Sequence, residues 1–467
     1  MDTTSKIILV LFLVFILRWI VIYLLDRKGI LERHNISTIG PILMFKTYKG
    51  QHFLEKIARP KRFWRGFASV GIPLVFAAMV FMFVLFLRVA MITFTQPPPP
   101  PNPLTSPRNI FLIPGLNTYI PLVEGIIGLA VTLLIHEFAH AILAKVEGVK
   151  VKSLALLTII VPIGAATEID EDELFGKPND EKDENDIKDI EINKDNKDDE
   201  ARPKKIAKSG ERVRILSAGV ISNFFIAFIA FLLFFGPVLG SIAPINEGVA
   251  VSYTMEGFPA ANAGIGNGEI IKSMNDQEIA TISDFFNYME GTAPGDRVLI
   301  VTNDGEYDII LAKNPENPNK GYLGLSVYDI GGSLNSIKNL PRTLGTLGGW
   351  LVLYGLPLMY MGFLNNLATF YVPVGFASLF GNGFFWIARI LLWVGWINLV
   401  AGLFNSLPAT PLDGGYILRE TLLKAFNKVT KDKERAERMS HTVVNFMGIL
   451  VAISILSAIL WQSWGYI

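Results

Sequence analysis

Six stretches of this 467-residue chain are apolar and about as long as the ~20-residue helix needed to cross ~30 Å of hydrocarbon. They lie near 7–25, 68–94, 120–143, 213–239, 384–404 and 442–462. A bilayer interior offers the backbone no hydrogen-bond partner, so each span is expected to be a helix. The expected fold is therefore a polytopic α-helical membrane protein with six or more transmembrane helices. A content of 51% hydrophobic and 18% charged residues agrees, being too apolar for a soluble enzyme of this length. Residues 7–25 lack a small-residue cleavage site and run into Asp26, Arg27 and Lys28, so they read as a retained first helix rather than a signal peptide.

The loops suggest an orientation, because positive charge is retained on the cytoplasmic side. Residues 26–66 hold ten Lys or Arg against three acids and are expected to face the cytoplasm, whereas 95–109, with its run of prolines, reads as a stiff external spacer. Two apolar stretches are ambiguous. Residues 152–166 are short and interrupted by Pro162 and Gly164, and 343–382 is broken by glycines, prolines and Asn365-Asn366. The first reads as re-entrant; the second is expected to cross an even number of times or not at all. Residues 168–200 carry sixteen acids and five lysines and read as a solvated loop ending in a basic patch. Lys plus Arg equals Asp plus Glu, 42 each, so charge gives no reason to expect a nucleic-acid partner.

Cysteine is absent, which leaves histidine, carboxylate and carbonyl groups as the available metal ligands. The third apolar stretch contains H-E-x-x-H. His136 and His140 are four residues apart and project from one helical face, where two imidazoles can share one zinc ion. Glu137, one residue round the helix, is placed to act as general base on a water molecule. Ionisable groups inside a membrane helix are costly and usually functional. A third ligand is needed from elsewhere. His34, His52 and His441 fall in or beside the cytoplasmic loops, which leaves a carboxylate within an apolar segment, and Asp413 in NSLPATPLDGG is the candidate. The same letters also read as an ordinary turn.

From about Ile245 to Tyr328 the composition turns soluble. The runs GVAVSYT, EIIKSMN, RVLIVTN and YDIILAK read as strands separated by Gly, Pro and Asn turns, with a helix near 283–290. The segment from Glu256 to Leu311 resembles a PDZ domain of the kind carried by bacterial proteases.

Taken in order, H-E-F-A-H, the G-x-x-x-N of Gly219 to Asn223, the PDZ-like segment and N-x-x-P-x-x-x-L-D-G-G resemble the site-2 protease family of intramembrane metalloproteases. The resemblance implies one Zn2+ held by His136, His140 and Asp413, Glu137 as base, and Asn223 and Asn405 close to the substrate. Ala139 and Val220 depart from residues common in the family without touching a ligand. By this pattern the chain divides into an N-terminal two-helix region (1–119), a first core segment (120–167), an acidic and basic loop (168–211), a core helix (212–244), the PDZ-like domain (245–330) and a second core segment with the last membrane helix (331–467). The implied activity is hydrolysis of peptide bonds in transmembrane protein substrates, possible products of an earlier cleavage by another protease, within the lipid bilayer. The expected location is a prokaryotic cytoplasmic membrane, with the site toward the cytoplasm and the PDZ-like domain outside. The alternative is a metal-transporting or non-catalytic protein built on the same site.

Overall fold

A computed structural model of the chain describes residues 3–47, 51–98, 109, 112–117, 119–158, 162–176, 205–315, 317–430 and 432–464. Most of the acidic loop (177–204) and of the proline-rich spacer (99–108) lies outside the described residues. Contacts divide the chain into two compact units, one of Met1–Ile110, Ile126–Ala227 and Ile397–Ile467, the other of Phe111–Gly125 and Phe228–Trp396.

The expected span 7–25 lies within helix α1, Thr3–Arg27. The basic segment after it is not a simple loop. Strands β1 (Ile36–Ile39) and β2 (Ile42–Thr47) form a hairpin whose turn uses the positive φ of Gly40. Helices α2 (Gln51–Ala58), α3 (Lys61–Thr95) and α4 (Leu122–Glu147) follow. α4 stops at Gly148, φ 80, which lets the Val149 amide bond back to the Ala144 carbonyl at 2.8 Å.

Beyond α4, the described parts of 152–166 are strands: β3 (Val151–Thr158) and β4 (Pro162–Ile169) extend the hairpin into a four-stranded antiparallel sheet ordered β1-β2-β3-β4. Leu154 pairs with Thr167 and, on the other side, with Thr47. Glu168 links three of these strands, accepting from Ser153 at 2.7 Å and pairing with Lys46 at 3.0 Å. The Ser153 bond and then the Lys46 charge hold its carboxyl below the usual range. Helix α5 (Glu171–Phe175) is capped by Asp170, whose side chain accepts from the amides of Asp172 and Glu173. Next comes α6 (Ser209–Leu233), continued to Val238 by a wider turn around Pro237, which has no amide to donate.

In the second unit, β5 (Ile242–Pro244) leads to β6 (Val249–Thr254), α7 (Pro259–Ala263), β7 (Ile270–Met274), β8 (Gln277–Glu278), α8 (Ile282–Glu290), β9 (Arg297–Thr302) and β10 (Glu306–Ile310). The short pair β11 (Ala312–Lys313) and β12 (Gly321–Tyr322) precedes β13 (Leu325–Asp329). The main sheet is antiparallel in the order β10-β9-β7-β6-β13, with β8 on β7. Asn275 and Asp276, φ 44 and 61, make the two-residue turn between β7 and β8, where positive φ at both positions matches the twist of a hairpin. Alternate residues of β9, Val298, Ile300 and Thr302, point inward against Val249, Val251, Ile271 and Met274. Helix α8 starts on a capping box between Thr281 and Asp284.

After β13 the chain forms α9 (Ile330–Thr343), then four short helices, α10 (Leu347–Tyr354), α11 (Leu356–Met359), α12 (Met361–Asn365) and α13 (Leu367–Phe370), and β14 (Tyr371–Pro373), which pairs with β5. None of α10 to α13 exceeds eight residues, so none is long enough to span a bilayer. The chain ends with α14 (Gly383–Asn405), α15 (Asp413–Val429) and α16 (Lys433–Trp464). Among the described residues five helices are long and apolar enough to cross a membrane: α3, α4, α6 with its continuation, α14 and α16.

Candidate metal centre

All six residues singled out in the sequence fall in the first unit. Both histidines leave the same face of α4 and are buried, 7% and 8% exposed, with their Nε2 atoms 3.2 Å apart. Oδ2 of Asp413 lies 3.1 Å from Nε2 of His136 and 3.4 Å from Nε2 of His140. A tetrahedral ion bound at about 2.0–2.1 Å keeps its ligand atoms about 3.3 Å apart, so the three separations match the edges of such a site. Among the described residues this is the only cluster of three or more potential ligand side chains.

The outer atoms of the rings support the same arrangement. His140 Nδ1 donates to the carbonyl of Ile215 at 2.8 Å, which leaves Nε2 with its lone pair toward Asp413. His136 Nδ1 faces the side-chain amide of Asn223 at 3.1 Å. Asn223 is fully buried and its Oδ1 has no partner among the described residues, so turning the amide over gives that oxygen the Nδ1 proton of a His136 that ligates through Nε2. Among the described residues Oδ2 of Asp413 is likewise buried without a hydrogen bond, as a metal ligand's oxygen is. The residues present therefore fit a single divalent ion.

Glycines bring the pieces this close. A Cβ on Gly219 of α6 would stand 2.4 Å from His140 Nε2 and 2.6 Å from His136 Nε2. Asn223, one turn further along, then meets His136. Asp413 opens α15, where the free amides of a helix start favour a carboxylate. Gly414 and Gly415 let that first turn sit on the preceding backbone, because Cβ atoms there would meet the Ser406 carbonyl oxygen at 2.2 Å and the Ala409 carbonyl carbon at 2.6 Å.

Glu137 is held on β4, its Oε2 accepting from the amide of Thr167 at 2.7 Å. The side chain of Asn405, the last residue of α14, makes no hydrogen bond among the described residues. Nothing in the letters around Thr167 announced its part. A second feature had a readable signal: Glu147, an acid ending an apolar helix, is buried and bonded by Arg65 of α3 at 2.9 Å and Arg214 of α6 at 2.7 Å. It joins three helices two turns beyond His140.

Two histidines and a carboxylate converging on one point, beside a glutamate and on a helix fit to cross a membrane, define a membrane metallopeptidase. The chain belongs to Peptidase family M50, the site-2 protease family, whose profile matches residues 124–455. It is also 25% identical over 473 aligned residues, 99% of either chain, to an uncharacterized protein of Methanocaldococcus jannaschii.

Proposed function

We propose that this metallopeptidase holds one zinc ion on His136, His140 and Asp413 and cleaves transmembrane protein substrates within or near their membrane segments, as a step of regulated intramembrane proteolysis. The observation that carries the reading is the convergence of the two Nε2 atoms and Oδ2 within 3.1–3.4 Å on a membrane-crossing helix. When bound, zinc polarises the scissile carbonyl and makes water a stronger acid. Glu137 takes the proton of the attacking water and returns it to the leaving amine. Asn223 and the Ile215 carbonyl hold the two rings in their tautomers, and Asn405 is left to hydrogen-bond the substrate strand.

A substrate helix must unwind before its carbonyl is reachable. The second edge of β4 has no strand partner among the described residues, and its Thr167 amide meets Glu137. An extended substrate beside β4 would thus lie next to the base.

The second unit supports a PDZ-like role in substrate selection. β13 is a sheet edge with α8 packed against it. In the turn before β13, Gly324 has φ 72, and the carbonyls of Leu323 and Gly324 accept from Ala260 at 2.9 Å and Met255 at 2.7 Å. Their own amides have no partner among the described residues and suit a peptide C-terminal carboxylate. The charge pattern of the loops supports an external position for this unit and a cytoplasmic one for the metal centre, which requires α1 as a sixth span.

The test is cleavage of a reconstituted single-span reporter by the wild-type protein and by Glu137→Gln, with bound zinc measured in both. Cleavage lost in the variant with zinc retained supports the reading. Zinc flux without cleavage by either protein replaces it with transport.

A further inference from the structure

Past the end of β13 the edge strand does not run out into open solvent. It reaches a cavity of about 430 Å³ built partly by helices that follow the strand-rich segment. Ile282 at the start of α8, Asp329, Ser333 and Ser336 of the β13–α9 corner, Met359 at the end of α11 and Tyr360 just after it line it. Hydrogen bonds and a ring stack tie one wall together. The Tyr328 hydroxyl donates to the Tyr371 hydroxyl at 2.6 Å, which donates to the Ile330 carbonyl at 2.7 Å, and the Tyr328 ring stacks on Phe370. The pairing of β14 with β5 holds Tyr371 in place from the other side.

We propose that this cavity is a specificity pocket for a basic side chain of an extended peptide whose free C-terminus occupies the groove between β13 and α8. The proposal rests on the peptide-binding reading of that groove and adds to it the class of sequence selected. A strand added antiparallel to β13, with its C-terminal carboxylate at the Leu323–Gly324 turn, runs back along Leu325–Asp329. At about 3.3 Å per residue, a residue about four positions upstream of the C-terminus comes level with Asp329.

Asp329 gives the pocket its sign. Its Oδ1 accepts from the Gly332 amide at 2.7 Å, capping α9, and its other oxygen has no partner among the described residues. A Lys or Arg stem can lie against Ile282 and Met359 while its head reaches Asp329 and the hydroxyls of Ser333 and Ser336. A carboxylate in the same place would meet Asp329 without a cation.

The test uses the full-length protein in detergent and fluorescent peptides with one apolar C-terminal sequence, carrying Lys, Ala or Glu about four residues upstream. Binding is read by anisotropy, and an amidated C-terminus serves as the control for the groove. The expected order is Lys, then Ala, then Glu, with about fivefold between neighbours, the size of a partly exposed ion pair. Asp329→Asn keeps the helix cap and should bring the three together. Ser336→Lys leaves the cap untouched, adds a positive charge to the pocket, and should reverse the order. Free-acid peptides that bind equally whatever the upstream residue, in wild type and variants alike, overturn the pocket but leave the groove standing. Binding that is absent, or unchanged by amidation, overturns the groove reading and the pocket with it.

Discussion

Thr167 holds Glu137 at both ends: its amide donates to the carboxylate Oε2 and its hydroxyl to the main-chain carbonyl, each at 2.7 Å. The first bond belongs to the backbone and survives substitution; the second does not. Thr167→Val should therefore cost about 1 kcal/mol of stability and lower kcat severalfold with metal content unchanged. Thermal melting in detergent, zinc analysis and reporter cleavage together check this. Wild-type kcat in the variant would mean that the hydroxyl anchors the sheet alone.

Gly219 has no room for a side chain. Gly219→Ala would place a methyl group within 2.6 Å of both metal-facing nitrogens, so the histidines or α6 must move. The expected result is loss of stoichiometric zinc from a protein that remains helical by circular dichroism. Full zinc occupancy in the variant would contradict the close packing of α6 on the two rings.

Asn223 should behave as an orienting residue rather than one that touches substrate. Removing such a partner costs about 10–100-fold in metal affinity, and Asn223→Ala is expected in that range. Asn223→Asp keeps an acceptor for His136 Nδ1 and should recover most of the loss. A rise in KM alone, with zinc affinity intact, would return Asn223 to the substrate.

The Glu147 cluster predicts an asymmetry. Its carboxylate is fully buried and serves two arginines, so Glu147→Gln leaves both without a counterion and should destabilise by about 3 kcal/mol. Arg65→Ala removes a half-exposed partner, and the change in melting temperature should be much smaller. Equal shifts would mean that solvent screens the whole cluster.

Metal removal should be felt in stability as well as activity. In the proposed site three ligands from α4 and α15 would share one ion, so dialysis against a chelator is expected to lower the melting temperature and abolish cleavage, and zinc to restore both. The triple variant lacking all three ligands should show no response to the chelator.

The membrane helices and the pairing of the two histidines were readable because both rest on local rules: runs of apolar residues, and a four-residue spacing that puts His136 and His140 on one face. The four strand-like runs of the middle segment also lie where β6, β7, β9 and β10 are found. The four-stranded sheet was not legible. One of its hairpins comes from the basic segment after α1 and the other from an interrupted apolar stretch, and the pairing of Leu154 with Thr47 joins positions that no periodicity connects. The motif named Asn223 as close to the site, but its contact with His136 depends on how closely Gly219 lets two helices approach. The many short helices after α9 escaped for a related reason. Glycines and prolines announce breaks without saying where each piece turns.

The order of the ligands along the chain has a consequence for the life of the molecule. His136 and His140 are made early, but Asp413 follows only after the whole strand-rich segment and α14. At ~5–20 residues per second, tens of seconds separate the first two ligands from the third. During that interval the growing chain has two imidazoles and no carboxylate to complete the site. On the proposed ligand set, the site stays incomplete while the strand-rich segment and α14 are made, and it can close only once Asp413 has been added.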